Sequence, residues 1–270
     1  ASSSFACGER LSADLGRSAE AVMADELADV VATLCAAQKR QGLRYAEQRL
    51  LLESPEQWRW GFAAVQRGMQ AAGDGFTMRL AASLPRRDPW PQWECVSALS
   101  LEPGGETLTG VDFCFIEEGH PPKDKAAFFA AVKDHNERNP WRPLAILYHV
   151  GESFTDKSLE SAVRWVQEAA ELGANRLGHA IALGIEPLAF LRSSVRGTQG
   201  ELHTRSESAA ERMDQLRYDL LHAEGLAAHG VVIDRGAAAA ELSRLLRGSA
   251  AEVVTHVYDR ARLDELRRRQ

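Results

Sequence analysis

From about Ser18 to Gln41 apolar residues recur three and four apart, the spacing of an amphipathic helix, and Gly42 ends the run. The mixed segment Leu43 to Leu50 then predicts a strand. Ser54, followed by Pro55 and with Gln57 at the third helical position, has the order of a capping box and opens a helix reaching about Ala72. Gly73-Asp-Gly75 closes it. The alternation continues with a strand at Phe76 to Ser83, a weaker helix from Asp88 to Leu101 and a strand at Leu108 to Cys114. A helix from Lys123 to Glu137 leads to a strand at Pro143 to His149. Thr155 or Asp156 is expected to cap the next helix, which ends at Gly173, before a short strand at Arg176 to Ala180.

Five strands alternating with helices predict a parallel sheet and favour a (β/α) barrel of the TIM type. An open doubly wound sheet competes, but no glycine-rich phosphate loop follows the first strand. In a barrel the reactive groups sit beyond the carboxyl ends of the strands. After Leu183 the rhythm breaks. Residues 185–258 read as a helical insertion or subdomain, with Ser206 to Glu224 its longest helix and a strand expected only at Ala227 to Ile233. Residues 259–270 read as a charged helix, and residues 1–184 as the partial barrel.

At 270 residues and 45% hydrophobic, the chain is long enough for one large core. A net charge of -6 gives no electrostatic reason to bind nucleic acid or an anionic membrane. Cys7, Cys35, Cys95 and Cys114 form no C-x-x-C pair, so a reducing cytoplasm fits best. No apolar window is long enough to span a bilayer. The chain starts Ala-Ser-Ser-Ser without a methionine, which excision from a longer protein would explain.

Candidate chemistry concentrates in Leu144-Ala-Ile-Leu-Tyr-His-Val-Gly-Glu152, where an apolar strand stops at a histidine and a carboxylate follows three residues later. An imidazole can bind a divalent metal, and a nearby carboxyl group can carry a proton. Gly151 lets the backbone turn tightly between them. His179, after Gly178, ends the next strand. Asp112 shares a strand face with Cys114, opposite Val111 and Phe113, and is expected inside the barrel near the site. Glu47 and Arg49 share a face and predict a buried ion pair. Glu117 and Glu118 read as loop residues near the site. His120, His135, His203, His222, His229 and His256 have no partner at ligand spacing, so a surface position or core packing is the expected role of each.

His149-Val-Gly-Glu152 followed by Arg176-Leu-Gly-His179 resembles the adenosine deaminase family of metal-dependent amidohydrolases. Gly42 to Arg49 resembles that family's second strand and Gly110 to Glu118 its fourth, so the likeness covers about residues 20 to 184. It implies an incomplete (β/α)8 barrel, strands two to six of eight, and a Zn2+ cofactor. His149 would be a zinc ligand, Glu152 the acid that protonates a purine ring nitrogen, and His179 the group that orients or deprotonates the attacking water. The implied reaction replaces a purine amino group with oxygen. The implied partner is a purine nucleoside or nucleotide, with self-association allowed and with neither membrane nor nucleic acid expected. The helical stretch after Leu183 is similar to an insertion in the deaminases of bacterial RADAR anti-phage systems.

Two departures qualify the resemblance. No His-x-His and no Asp-Asp pair occurs, so the family's remaining zinc ligands are expected outside this chain, which would then look truncated at both ends and inactive alone. Open sheet edges would make such a segment prone to aggregation. Phe115 stands where the family usually has a glycine against the purine, and its ring would crowd the pocket. The rival readings are a related deaminase or amidase acting on another substrate, and a non-catalytic scaffold.

Overall fold

The computed structural model describes residues 18–194, 204–249 and 252–270. In chain order the regular elements are α1 (Ala19–Arg40), β1 (Tyr45–Leu51), α2 (Pro55–Ala71), β2 (Thr77–Leu84), α3 (Trp90–Leu101), β3 (Leu108–Phe113), α4 (Ala126–Arg138), β4 (Ala145–Val150), α5 (Leu159–Glu171) and β5 (Arg176–His179). There follow α6 (Pro187–Ser194), β6 (Thr204–Ser208), α7 (Ala209–Leu221), α8 (Ala223–Ala228), α9 (Arg235–Arg247), β7 (Val253–Val257) and α10 (Arg260–Arg269). No described helix is long and apolar enough to cross a membrane.

The first five strands form one parallel sheet in the order β1-β2-β3-β4-β5. A doubly wound sheet would reverse direction at a switch point, so sequential order with a helix after each strand selects the incomplete (β/α) barrel. Register follows the pleat: Tyr45 lies opposite Thr77, and Ser83 opposite Asp112 after an irregularity at Leu80/Ala81. Two compact units divide the chain. One takes the described residues up to Cys114 together with Phe128–Leu147, and the other takes Phe115–Ala127 and Tyr148–Gln270.

In the first unit the chain does at Ser54 much of what its sequence requires. The Ser54 hydroxyl accepts the Gln57 N–H at 3.2 Å, while the Gln57 side chain accepts the N–H of Glu53, one residue earlier than a standard box. Trp58, Val65, Leu80, Val96, Val111 and Val132 are buried, and Phe113 meets Phe128 edge to face at 4.9 Å. His135 packs against Trp93 and bonds to Ser100, as its expected packing role required, and burial lowers its pKa. Arg49 is not buried as the expected pair with Glu47 required. Its side chain is 50% exposed and it lies 3.9 Å from Asp112, while the Tyr45 hydroxyl donates to Glu47.

Asp112 is fully buried and accepts the Ser83 hydroxyl at 3.3 Å. Burial drives its pKa from 3.8 up to about 6, against the pull of Arg49, the Ser83 bond and Arg86. The folded chain therefore holds this proton at pH values where the unfolded chain has released it. The stability it brings is complete below about pH 4 and is lost as pH rises through about 6, on the order of 3 kcal/mol across that window. Asp112→Asn is expected to flatten this part of a plot of melting temperature against pH. An unchanged slope would refute the burial argument.

In the second unit α5 is capped by Ser158, whose hydroxyl accepts the Ser161 N–H, and not by Thr155 or Asp156. Those two side chains are engaged elsewhere: Thr155 donates to Glu118 at 2.6 Å, and Asp156 accepts the Gly119 N–H at 2.8 Å. Helices α7 and α9 bury Ala209, Leu216, Ala238 and Leu245 against one another, with Met213, Leu242 and Val254 packed alongside.

The stretch after Leu183 is not all helix. β6 and β7 pair antiparallel, Thr204 opposite Val257 and Ser208 opposite Val253. The strand expected at Ala227 to Ile233 is absent, because α8 runs into it and Gly230, at φ 77, turns the chain. The ribbon buries Glu207, which meets His256 at 2.6 Å and accepts the Ser161 hydroxyl and the Ser158 N–H. Burial alone would raise Glu207, but these partners outweigh it and hold its pKa at about 2. Residues 259–270 form the expected charged helix. His222 stacks on Tyr218, whereas His203 and Cys7 lie outside the described residues.

Candidate metal centre

β4 is half-buried at Ala145 and Leu147 and buried at Ile146 and from Tyr148 to Val150, which places His149 one residue before the strand end with 9% of its surface exposed. Gly151 follows at φ 72, a conformation that costs a side chain dearly. A Cβ there would also stand 2.7 Å from Val166 Cγ2, so both the turn and its packing require glycine. The turn brings Glu152 back beside the strand end. β5 contributes Gly178 and His179, and the chain beyond it is fastened to β4 by Ala180 N–H to Val150 O and Ala182 N–H to Gly151 O, each 3.0 Å.

Here the structure brings together residues that the sequence holds about thirty positions apart. His179 Nε2 lies 3.0 Å from a Glu152 carboxylate oxygen, and the two imidazoles meet edge to face at 5.0 Å. Ligating atoms of His149, Glu152 and His179 all fall within 4.8 Å of one another. Two imidazoles and a carboxylate suit zinc, and ligands on one tetrahedral zinc stand about 3.3 Å apart. The donor set therefore fits the metal with small side-chain movements. The sequence supplied one ligand, whereas the fold assembles three candidate donors in one place.

Packing sets the positions of these donors. A Cβ on Gly178 would lie 2.9 Å from Cγ and Cδ2 of His149, so the ring rests directly on the β5 backbone. Gly178→Ala is expected to push that ring aside and weaken zinc binding about tenfold or more, with little change in melting temperature. Zinc titration against a chelator would measure it; wild-type affinity would show that the ring is not fixed by this contact.

Strain gathers at the same strand ends. His179, Ala180 and Phe115 have φ values of 63, 48 and 79, the left-handed region that non-glycine residues seldom occupy. Phe115, flagged in the sequence as standing where glycine is usual, adopts the backbone that glycine would favour. Phe115 as a whole is 55% exposed and lines a cavity of about 480 Å3 that Glu152 also borders. Phe154 and Phe190, 4.7 Å apart, form part of its wall, and Arg205 on β6 lies 4.8 Å over the Phe190 ring. The side chains of His179 and Glu152 remain 42% and 33% exposed, which leaves the centre open to a small molecule.

Asp112, grouped with this centre in the sequence, lies in the first unit with Ser83 and Arg49 as partners. Two contributors escaped the sequence. Glu117, marked only as a nearby loop residue, is 2% exposed and accepts backbone N–H groups from Gly151, Glu152 and Ser153. Arg205 carried no signal, lying in a polar segment without alternation. Glu118 accepts hydroxyls from Ser153 and Thr155, which hold its pKa at about 2.

No protein-family profile matches the chain, and no curated protein matches it. An amidohydrolase from Burkholderia ambifaria, solved with bound zinc, aligns with 64% of this chain and 46% of its own at 20% identity and a TM-score of 0.45. The chain thus spans less than half the length of that protein.

Proposed function

We propose that this chain carries the proton-transfer half of a zinc-dependent hydrolase of the adenosine deaminase type, which replaces the amino group of an adenosine-like purine with oxygen. The observation that carries this reading is the convergence of His149, Glu152 and His179 at adjoining strand ends. Zinc, when bound, supplies a Lewis acid that makes water a competent nucleophile near neutral pH. His149 offers it an imidazole. In this reading Glu152 gives a proton to the purine ring nitrogen as the amino-bearing carbon is attacked, and His179 holds and deprotonates the incoming water. The 3.0 Å contact between Glu152 and His179 lets a proton pass between acid and base. The cavity faced by Phe115, Phe154 and Phe190 would take a flat heteroaromatic ring.

Zinc content and inosine formation by the protein containing this chain test the reading. Glu152→Gln is expected to lower turnover about 100-fold to 10,000-fold, the range typical for a positioned general acid. Bound zinc without turnover on amino-purines would move the reading to another amide or amino substrate, and a protein with neither would favour the scaffold alternative.

A further inference from the structure

Glu117 is a charged residue removed from water, with both carboxylate oxygens turned onto the backbone. One oxygen accepts the Gly151 N–H at 2.8 Å; the other accepts the N–H groups of Glu152 at 3.1 Å and Ser153 at 3.0 Å. Three successive amides pointing into one concavity form an anion nest, and here the anion is built into the chain. The neighbouring residues extend the clasp: Glu118 takes the Ser153 and Thr155 hydroxyls, and the Gly119 N–H donates to Asp156. Residues 117–119 are thereby laced to residues 151–156, the turn that separates His149 from Glu152.

We infer that Glu117 is the positioning residue of the centre, holding the turn at Gly151 so that His149 and Glu152 face the same point; as a statement about a metal site this rests on the function proposed above. The physical reason is an imbalance. The turn's three N–H groups gain no partner from a helix or strand, and Gly151 is held in the left-handed region beside the Val166 side chain. Charge-assisted bonds to a buried carboxylate satisfy all three donors at once and are stronger than neutral ones. Remove the carboxylate and the turn loses the contacts that set its geometry, while His149 and Glu152 keep every atom needed to bind metal. Glu117 touches neither metal nor substrate in this role.

Glu117→Ala leaves a hole the size of a small carboxylate, which makes chemical rescue the test. In the full chain, amide hydrogen exchange at Gly151, Glu152 and Ser153 is expected to speed up about tenfold or more, and zinc affinity to fall about 10-fold to 100-fold, as for loss of an outer partner of a ligand. Formate at about 0.1 M is expected to restore both by refilling the nest, while chloride at the same strength restores neither. Glu117→Gln, whose amide fills the hole, is expected to lose zinc affinity without responding to formate. This variant also carries the comparison if the alanine variant does not fold. Unchanged exchange in both variants, or unchanged zinc affinity beside faster exchange, would overturn the inference. If the wild type itself binds no zinc, the proposed function fails, and the exchange data with formate alone decide whether Glu117 clasps the turn.

Discussion

Replacing His149 with alanine is expected to lower zinc affinity by more than about 100-fold, beyond what loss of an outer partner costs. The ring is the least exposed of the three donors, and it rests on the β5 backbone where Gly178 makes room. Its loss leaves only the Glu152 and His179 pair, 3.0 Å apart and already engaged with each other. Competition with a coloured chelator would measure the change, and the metal-free melting temperature should hardly move. His179→Ala separates two roles for its imidazole. A fall in affinity as large as that of His149→Ala makes it a ligand, whereas retained zinc with lost turnover makes it the group that handles water. Wild-type affinity in the His149 variant would place the metal elsewhere.

Arg164→Ala is expected to cost about 3–5 kcal/mol of folding stability, the range for breaking a buried ion pair from one side. The Arg164 side chain is 1% exposed; it meets Glu168 and Glu211 at 2.5 Å each and donates from Nε to Gln215. Trp165 Nε1 donates to the same Glu211 carboxylate at 3.0 Å. Burial outweighs the guanidinium and raises both glutamates above their ordinary pKa. Without Arg164 they rise further, so the variant must take up protons or bury bare charge. The folded state then binds protons that the unfolded state releases, and the deficit grows as pH rises. Urea unfolding at about pH 5.5 and pH 8 should therefore show the larger loss at pH 8, and an equal loss at both would argue that packing alone is responsible.

The alternation of strand and helix through residue 180 was legible because the strands from β2 to β4 are largely apolar and several helices announce their starts. Ser54 with Pro55 and Gln57 is such an announcement, and the structure uses all three. The ribbon was illegible for an identifiable reason. Thr204-Arg-Ser-Glu-Ser208 has no apolar residue to alternate, and the side chain it buries is Glu207, whose cost is met by His256 across the ribbon and by Ser158 and Ser161. Two of the three valines of β7, Val253 and Val257, are exposed, and only Val254 faces the core. At the site, His149 and Glu152 could be read because imidazole and carboxylate at a strand end suggest chemistry by residue type. Glu117 could not, since its partners are backbone N–H groups that every residue except proline possesses.

Because each strand of the large sheet lies beside the one made just before it, pairing never has to wait for distant chain. The ribbon differs, since Thr204 cannot meet Val257 until some fifty residues between them have been made. Loop closure of that length slows assembly, and folding rates fall as contacts become less local. A chain leaving the ribosome is thus expected to order β1 through β5 in turn and to close β6 on β7 only afterwards, so that Glu207 and His256 meet after the large sheet has formed.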